Sequence, residues 1–323
     1  MSKADYLKVL RHEEASRLVQ PQDMYMAFTP GEHNMGGEMV NGVRVGKDWF
    51  GCSWSEFGDS PLDGATITPG TQRLEDLEDF ASVIPTAEQV RAFDWEGYTK
   101  QALANFDREN QVLQVRSLVG FFERMHCLIG FEDALCAFYE EPETVHEFFQ
   151  AMLEYKKEVA TCVAKYMKPE IIIFDDDYGN MRSTFLSPEM WRSFFPQYWK
   201  ELVDHVHSLG MMFELHSCGY ITPLVGDFVA AGMDILQPLQ TNNDLRYIKE
   251  NYGKDLILRL AIFDKQMEAM GMTEDEVRAQ IQEWYHILAP GGNFVADLVP
   301  IQDRFYEIQA EEQAKFEKEF YHL

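Results

Sequence analysis

From about residue 111 onward the chain alternates two patterns, and this alternation constrains its fold more than any other feature. QVLQVRSLVGF, EIIIFDDD, MMFELHSC, MDILQPLQ, LILRLAIF and NFVADLVP are short, almost continuous apolar runs, and amphipathic stretches separate most of them. A strand that is apolar on both faces must be covered on both faces. Such strands belong to parallel sheets whose crossovers are helices. The intervening stretches carry the matching helix signals. PETVHEFFQAMLEYKKEVATCVAKYM opens on Pro142, in a first turn that needs no backbone donor. SPEMWRSFFPQYWKELVDHVHSLG has Ser187 as N-cap, Pro188 at the first helical position and Gly210 as its stop. Pro196 removes a donor inside that pattern and predicts a bend. TPLVGDFVAAG predicts a short helix, and TEDEVRAQIQEWYHIL opens with the capping box Thr273 and Glu276.

Repeated strand–helix units of this kind predict an α/β fold, a (β/α)8 TIM barrel, with functional residues at the C-terminal ends of the strands. An open doubly wound sheet competes, but an early strand followed by GxGxxG is missing. We read residues 1–323 as one barrel domain, with 1–110 carrying an N-terminal helix, hairpin and loop elaborations. MYMAFTPGEHNMGG predicts the opening strand and its loop. VNGVRVGKDWFGCSW alternates like a hairpin, and TPGTQRLEDLEDFASVIPT is an acidic stretch bounded by prolines.

Composition narrows the partners. The 323 residues include 28 Lys and Arg against 54 Asp and Glu, a net charge of −26. That field repels nucleic-acid phosphates and anionic lipid surfaces. The sequence holds no run of about 18 apolar residues that would span a bilayer. Its first twenty residues are charged rather than leader-like, so the expected location is cytoplasmic. Five scattered cysteines do not make a disulfide framework.

Chemistry-bearing residues gather at the strand ends. In FELHSCGY, His216 and Cys218 stand two apart and so share one side of an extended chain. Imidazole and thiolate are zinc ligands, although zinc asks for three or four in all. Gly219 permits a sharp turn or a close approach. Asp175, Asp176 and Asp177 follow an apolar run. Along an extended chain the first and third face one way and the second the other, with roles in proton handling, substrate binding or metal ligation. Arg182 is near enough in sequence to neutralise one of them. Asn180 beside Gly179, Gln240 at the end of MDILQPLQ, and Glu32 and His33 in a glycine-rich loop complete the candidate substrate contacts. FDKQ closes another strand. His205 and His207, two apart on a helix, do not share a face and read as structural.

The stretch from DDDYGNMRSTF through SPEMW, HSCG and AGMDILQPLQ resembles the uroporphyrinogen decarboxylase superfamily, and more narrowly its corrinoid-dependent methyltransferase branch. DWFGCSW and APGGNF are similar to further landmarks of that family. The resemblance implies a (β/α)8 barrel. It also implies a methyltransferase that passes a methyl group from a small methylated donor, such as a methyl ether, to the Co(I) corrinoid of a separate corrinoid protein capping the barrel mouth. It assigns Zn2+ to His216 and Cys218 and a later cysteine. No cysteine follows Cys218 here, so a carboxylate such as one of 175–177, or Glu32 or His33, would replace it. A Lewis acid at His216 and Cys218, or a protonated acid among Asp175, Asp176 and Asp177, would then stabilise the leaving oxygen. Three alternatives stay open: a zinc-dependent methylcobamide:thiol transferase, a decarboxylase-like enzyme, and a non-catalytic corrinoid-protein-binding protein. MYMAFTPGEHN lacks the arginines with which the decarboxylase grips substrate carboxylates.

Overall fold

The structure is a computed structural model and describes residues 3–31, 38–40, 43–56, 65–68, 70–262, 271–297 and 303–323. After helix α1 (Lys3–Leu10), strand β1 (Met24–Phe28) opens a parallel sheet. An antiparallel sheet follows at once, made of β2 (Glu38–Val40), β3 (Val43–Lys47), β4 (Ser53–Glu56) and β5 (Ala65–Ile67). The predicted hairpin is its β3–β4 pair, with Val45 opposite Ser55. Asp48 shapes the turn between these strands. Its Oδ1 accepts from the backbone of Phe50 and Cys52, both at 2.9 Å, and its Oδ2 accepts from the Trp54 indole at 2.9 Å and from Arg124 at 2.6 Å. The DWFGCSW motif is thereby anchored to the barrel wall.

Helices α2 (Ala87–Ala92) and α3 (Trp95–Ala102) lead to β6 (Val112–Ser117). The expected strand over QVLQVRSLVGF stops at Ser117, because Phe121 already opens helix α4 (Phe121–Ile129). Next come α5 (Phe131–Glu140), α6 (Pro142–Tyr166) and β7 (Ile171–Asp175). The predicted bend at Pro196 is a break between α7 (Pro188–Phe194) and α8 (Pro196–Ser208), and Ser187 caps α7 through Met190 N at 3.1 Å. The rest alternates β8 (Met212–His216), α9 (Val225–Ala231), β9 (Ile235–Gln240), α10 (Leu245–Tyr252), β10 (Ile257–Ala261), α11 (Glu274–Leu288), β11 (Phe294–Asp297) and α12 (Asp303–Phe320). The Thr273 capping box at the start of α11 forms in both directions. Thr273→Ala should therefore lower stability by about 1 kcal/mol in urea unfolding, the usual worth of such a cap. Among the described residues no helix is long and apolar enough to cross a membrane.

Seven parallel strands, in the order β1-β6-β7-β8-β9-β10-β11, form one curled sheet among the described residues, the arrangement of a TIM-barrel-like α/β fold. Strand parity divides the core. Leu113, Ile172, Phe213 and Leu258 join the cluster that holds the outer helices. Val112, Ile171, Ile173, Ile235, Ile257 and Val295 face inward and pack with Tyr6, Val9 and Leu10 of α1, which plugs the floor. Charged and polar side chains sit among these inward positions. Arg259 reaches from β10 to Glu214 of β8 at 2.5 Å, Gln114 of β6 at 3.1 Å and Asp297 of β11 at 3.0 Å. One guanidinium spanning those strands shows how tightly the sheet curls.

Candidate active site

The site lies where β7 and β8 end. Asp175 pairs in register with His216, so the two side chains leave the sheet next to each other. The chain then turns, and the two turns interlock. Asp176 N donates to His216 O at 2.9 Å, Tyr178 N to Ser217 Oγ at 3.1 Å, and Cys218 N to Asp177 Oδ1 at 2.7 Å. Gly219 has φ +83°, and a Cβ there would stand 2.4 Å from the backbone of Gly179. Both motifs end in glycine because their backbones touch.

Strand β8 stops at His216, so Cys218 lies beyond the strand rather than on it. The imidazole and sulfur still meet: Nε2 is 3.4 Å from Sγ. Asp177 Oδ1 stands 3.9 Å from the same Nε2, and the three donor atoms lie within 4.8 Å of one another. Bonds of about 2.0–2.3 Å to a tetrahedral zinc hold its ligand atoms about 3.3–3.8 Å apart, close to the two distances from His216 Nε2. The nitrogen–sulfur–oxygen set therefore fits a zinc ion and leaves a fourth position open. Asp177 supplies the third donor atom of this set, in a sequence with no cysteine after Cys218.

The acid triplet divides into three roles. Asp175 is held by Arg116, whose Nε lies 2.9 Å from each carboxylate oxygen and whose Nη2 also contacts Oδ2. The guanidinium that neutralises the triplet thus comes from β6, and Arg182 is not its source. Asp176 points away from the pocket. It accepts from Phe121 N, Phe122 N and Glu123 N at 2.8–3.1 Å and from the Tyr178 hydroxyl at 2.6 Å. It is the N-terminal anchor of α4, with three of these bonds on Oδ2 and one on Oδ1. Asp177 is the one of the three that accepts from Cys218 N and brings a carboxylate oxygen within 3.9 Å of His216 Nε2.

Desolvation dominates the proton affinities here. Burial, reinforced by Asp175 and Asp176, lifts Asp177 to about 7 against the hydrogen bond from Cys218 N. Burial pushes the Cys218 thiol well up, and the nearby carboxylates add to it. Burial and then Arg116 bring His216 down to about 4, so its ring is neutral. Glu123, a residue the sequence reading passed over, lies half-buried in the first turn of α4. Burial and the charges of Asp177, Asp176 and Asp175 push its carboxyl well above the usual range.

Two residues expected to touch substrate make local hydrogen bonds through their side-chain oxygens. Asn180 Oδ1 accepts from Arg182 N at 2.8 Å and Ser183 N at 3.0 Å, which shapes the exposed loop. Gln240 Oε1 accepts from Gly219 N at 2.7 Å and steadies the HSCG turn. Glu32 and His33, and the FDKQ strand end, lie outside the described residues. A cavity of about 590 Å³ beside Trp49, Arg73 and Phe93 is lined by none of Asp177, His216 and Cys218.

The family model for uroporphyrinogen decarboxylase (URO-D) matches residues 101–283, more than half of the chain. The chain belongs to that family. Among solved structures it is similar to a methyltransferase from Methanosarcina mazei, at 13% identity and a TM-score of 0.58, covering 91% of this chain and 80% of the other. A sugar phosphate isomerase/epimerase from Parabacteroides distasonis matches at 11% identity, covering 72% of this chain and 91% of the other, with a TM-score of only 0.36. The search of curated proteins finds no match.

Proposed function

We propose that this protein is a methyltransferase that moves a methyl group from a small methylated donor, a methyl ether in the first instance, to the Co(I) corrinoid of a separate corrinoid protein. The triad of Asp177, His216 and Cys218 at the C-terminal rim of the barrel carries this reading. Three ligands with an open fourth position are the arrangement of a catalytic rather than a structural zinc. Bound there, zinc supplies Lewis acidity toward a leaving heteroatom. The fold shared with a methyltransferase supports the same class.

In ether cleavage the new cobalt–carbon bond takes both electrons from Co(I), and the electron pair of the old carbon–oxygen bond stays on oxygen. That oxygen then needs a proton. Glu123, in the first turn of α4, is our candidate acid for this step, since burial and the neighbouring carboxylates shift its carboxyl toward the protonated form. Arg116 holds Asp175 as a paired carboxylate and fixes the wall behind His216.

A polycarboxylate substrate suits the site poorly. The interior guanidiniums of Arg116 and Arg259 are already neutralised by Asp175, and by Glu214 and Asp297. The test combines elemental analysis with cobalt spectroscopy. Purified wild type should hold stoichiometric zinc, and His216→Ala and Cys218→Ala should lose it. Wild type mixed with a Co(I) corrinoid protein and an aryl methyl ether should produce the methyl–Co(III) spectrum. Dependence on added thiol would point instead to methylcobamide:thiol transfer. Retention of metal and activity by both variants would remove the proposed site.

A further inference from the structure

His216 has a second nitrogen, and its surroundings are unusual for a metal ligand. Nδ1 lies 3.0 Å from Arg116 Nη2 and 2.8 Å from Gln237 Nε2. A guanidinium has donors and no acceptor, so the Arg116 contact requires a bare lone pair on Nδ1. The ring hydrogen must then sit on Nε2, the nitrogen that faces Cys218 and Asp177. A metal needs that same Nε2 lone pair. Histidine ligands ordinarily carry their hydrogen on the far nitrogen and donate it to an oxygen. The metal-free hydrogen bonding therefore stabilises the tautomer that excludes the metal.

Gln237 can reverse this preference without moving its backbone. It sits opposite His216 in the β8–β9 register and is buried. Turning its terminal amide by half a revolution exchanges Nε2 for Oε1 at nearly the same place. Oε1 then accepts a hydrogen from Nδ1, and Nε2 is free for the metal. Arg116 keeps its two-point contact with Asp175 through Nε and Nη2 and gives up only its approach to Nδ1. The ring hydrogen passes from Nε2 to Nδ1 with no net gain or loss of protons.

We infer that Gln237 is a positioning residue whose amide orientation selects the imidazole tautomer of His216, and that Arg116 opposes metal loading at that ring. This inference rests on the metal site proposed above, but its first half concerns the metal-free protein alone.

The test uses Gln237→Glu, which offers only acceptors to Nδ1, and Gln237→Leu, which offers none. Nitrogen-15 NMR of His216 in the metal-free proteins should show Nε2–H in wild type and in Gln237→Leu, and Nδ1–H in Gln237→Glu. Zinc affinity, measured by competition with a chromophoric chelator, should rise about tenfold in Gln237→Glu and fall about tenfold in Gln237→Leu, the scale of such outer-shell effects. Thermal melts of each variant report whether the fold is kept. Nδ1–H already present in metal-free wild type overturns the inference, as does equal zinc affinity in all three folded proteins. A wild type that takes up no metal ends the metal-site reading and the affinity arm together. The NMR result still judges the hydrogen bonding on its own.

Discussion

Asp176→Ala is expected to destabilise the protein by about 4 kcal/mol, whereas Asp177→Asn should change its stability by less than about 1 kcal/mol. The two residues are neighbours in sequence and opposites in environment. Asp176 accepts three backbone N–H groups at the start of α4 and the Tyr178 hydroxyl, all buried except the half-buried bond from Glu123 N. A hydrogen bond to a charged acceptor contributes about 1.5–3 kcal/mol, and its removal leaves buried donors unsatisfied. Asp177 accepts one backbone bond, from Cys218, which an asparagine oxygen also accepts. Its substitution should empty the metal site instead. Urea unfolding and elemental analysis on the same preparations separate the two roles. Loss of metal in a stable Asp176→Ala protein would show that the assignment is reversed.

Zinc affinity should fall about a hundredfold per pH unit on acidification below pH 7, and about tenfold per unit just above it. Ligand atoms must shed their protons before they bind a metal. His216 is neutral throughout this range, since its pKa is brought down to about 4. Cys218 holds its proton on both sides of neutrality, because burial and the adjacent carboxylates push the thiol up. Asp177 changes state near 7. Below that value two protons are displaced by each ion, and above it one. Each displaced proton contributes a factor of ten per unit. Chelator competition between pH 6 and pH 8 measures both slopes. Asp177→Asn should remove one proton from the lower slope in whatever residual binding remains. A pH-independent affinity would mean that neither group is a ligand.

The sequence pattern showed the sheet because parallel strands covered on both faces are apolar throughout, and it showed the candidate metal ligands because HxC at a strand end is compact. The partition of DDD followed from strand parity, which put Asp176 on the side away from Asp175 and Asp177. Arg116 and Glu123 were harder to see. Arg116 lies two residues beyond Gln114 in an otherwise apolar strand, and Arg259 likewise interrupts LILRLAIF. A charge at a buried inward position must find a partner, so each of these carried a usable signal. Glu123 carried none, because SLVGFFER reads as the end of a strand. The contact of Asp176 with the first N–H groups of α4, more than fifty residues away in sequence, anchors that stretch as a helix with Glu123 in its first turn. The division of the long helix at Pro196 was legible as a bend, but the extent of the break depended on packing.

Tyr6, Val9 and Leu10 stopper the lower end of the barrel. With that floor filled among the described residues, the proposed reading would bring a small donor and a bulky macromolecular acceptor to the same rim, where the strands end. The smaller guest would have to enter first, and its spent remnant would leave only after the larger one had departed. The short opening helix, far from the reacting atoms, would on that reading favour a fixed order of arrival and exit.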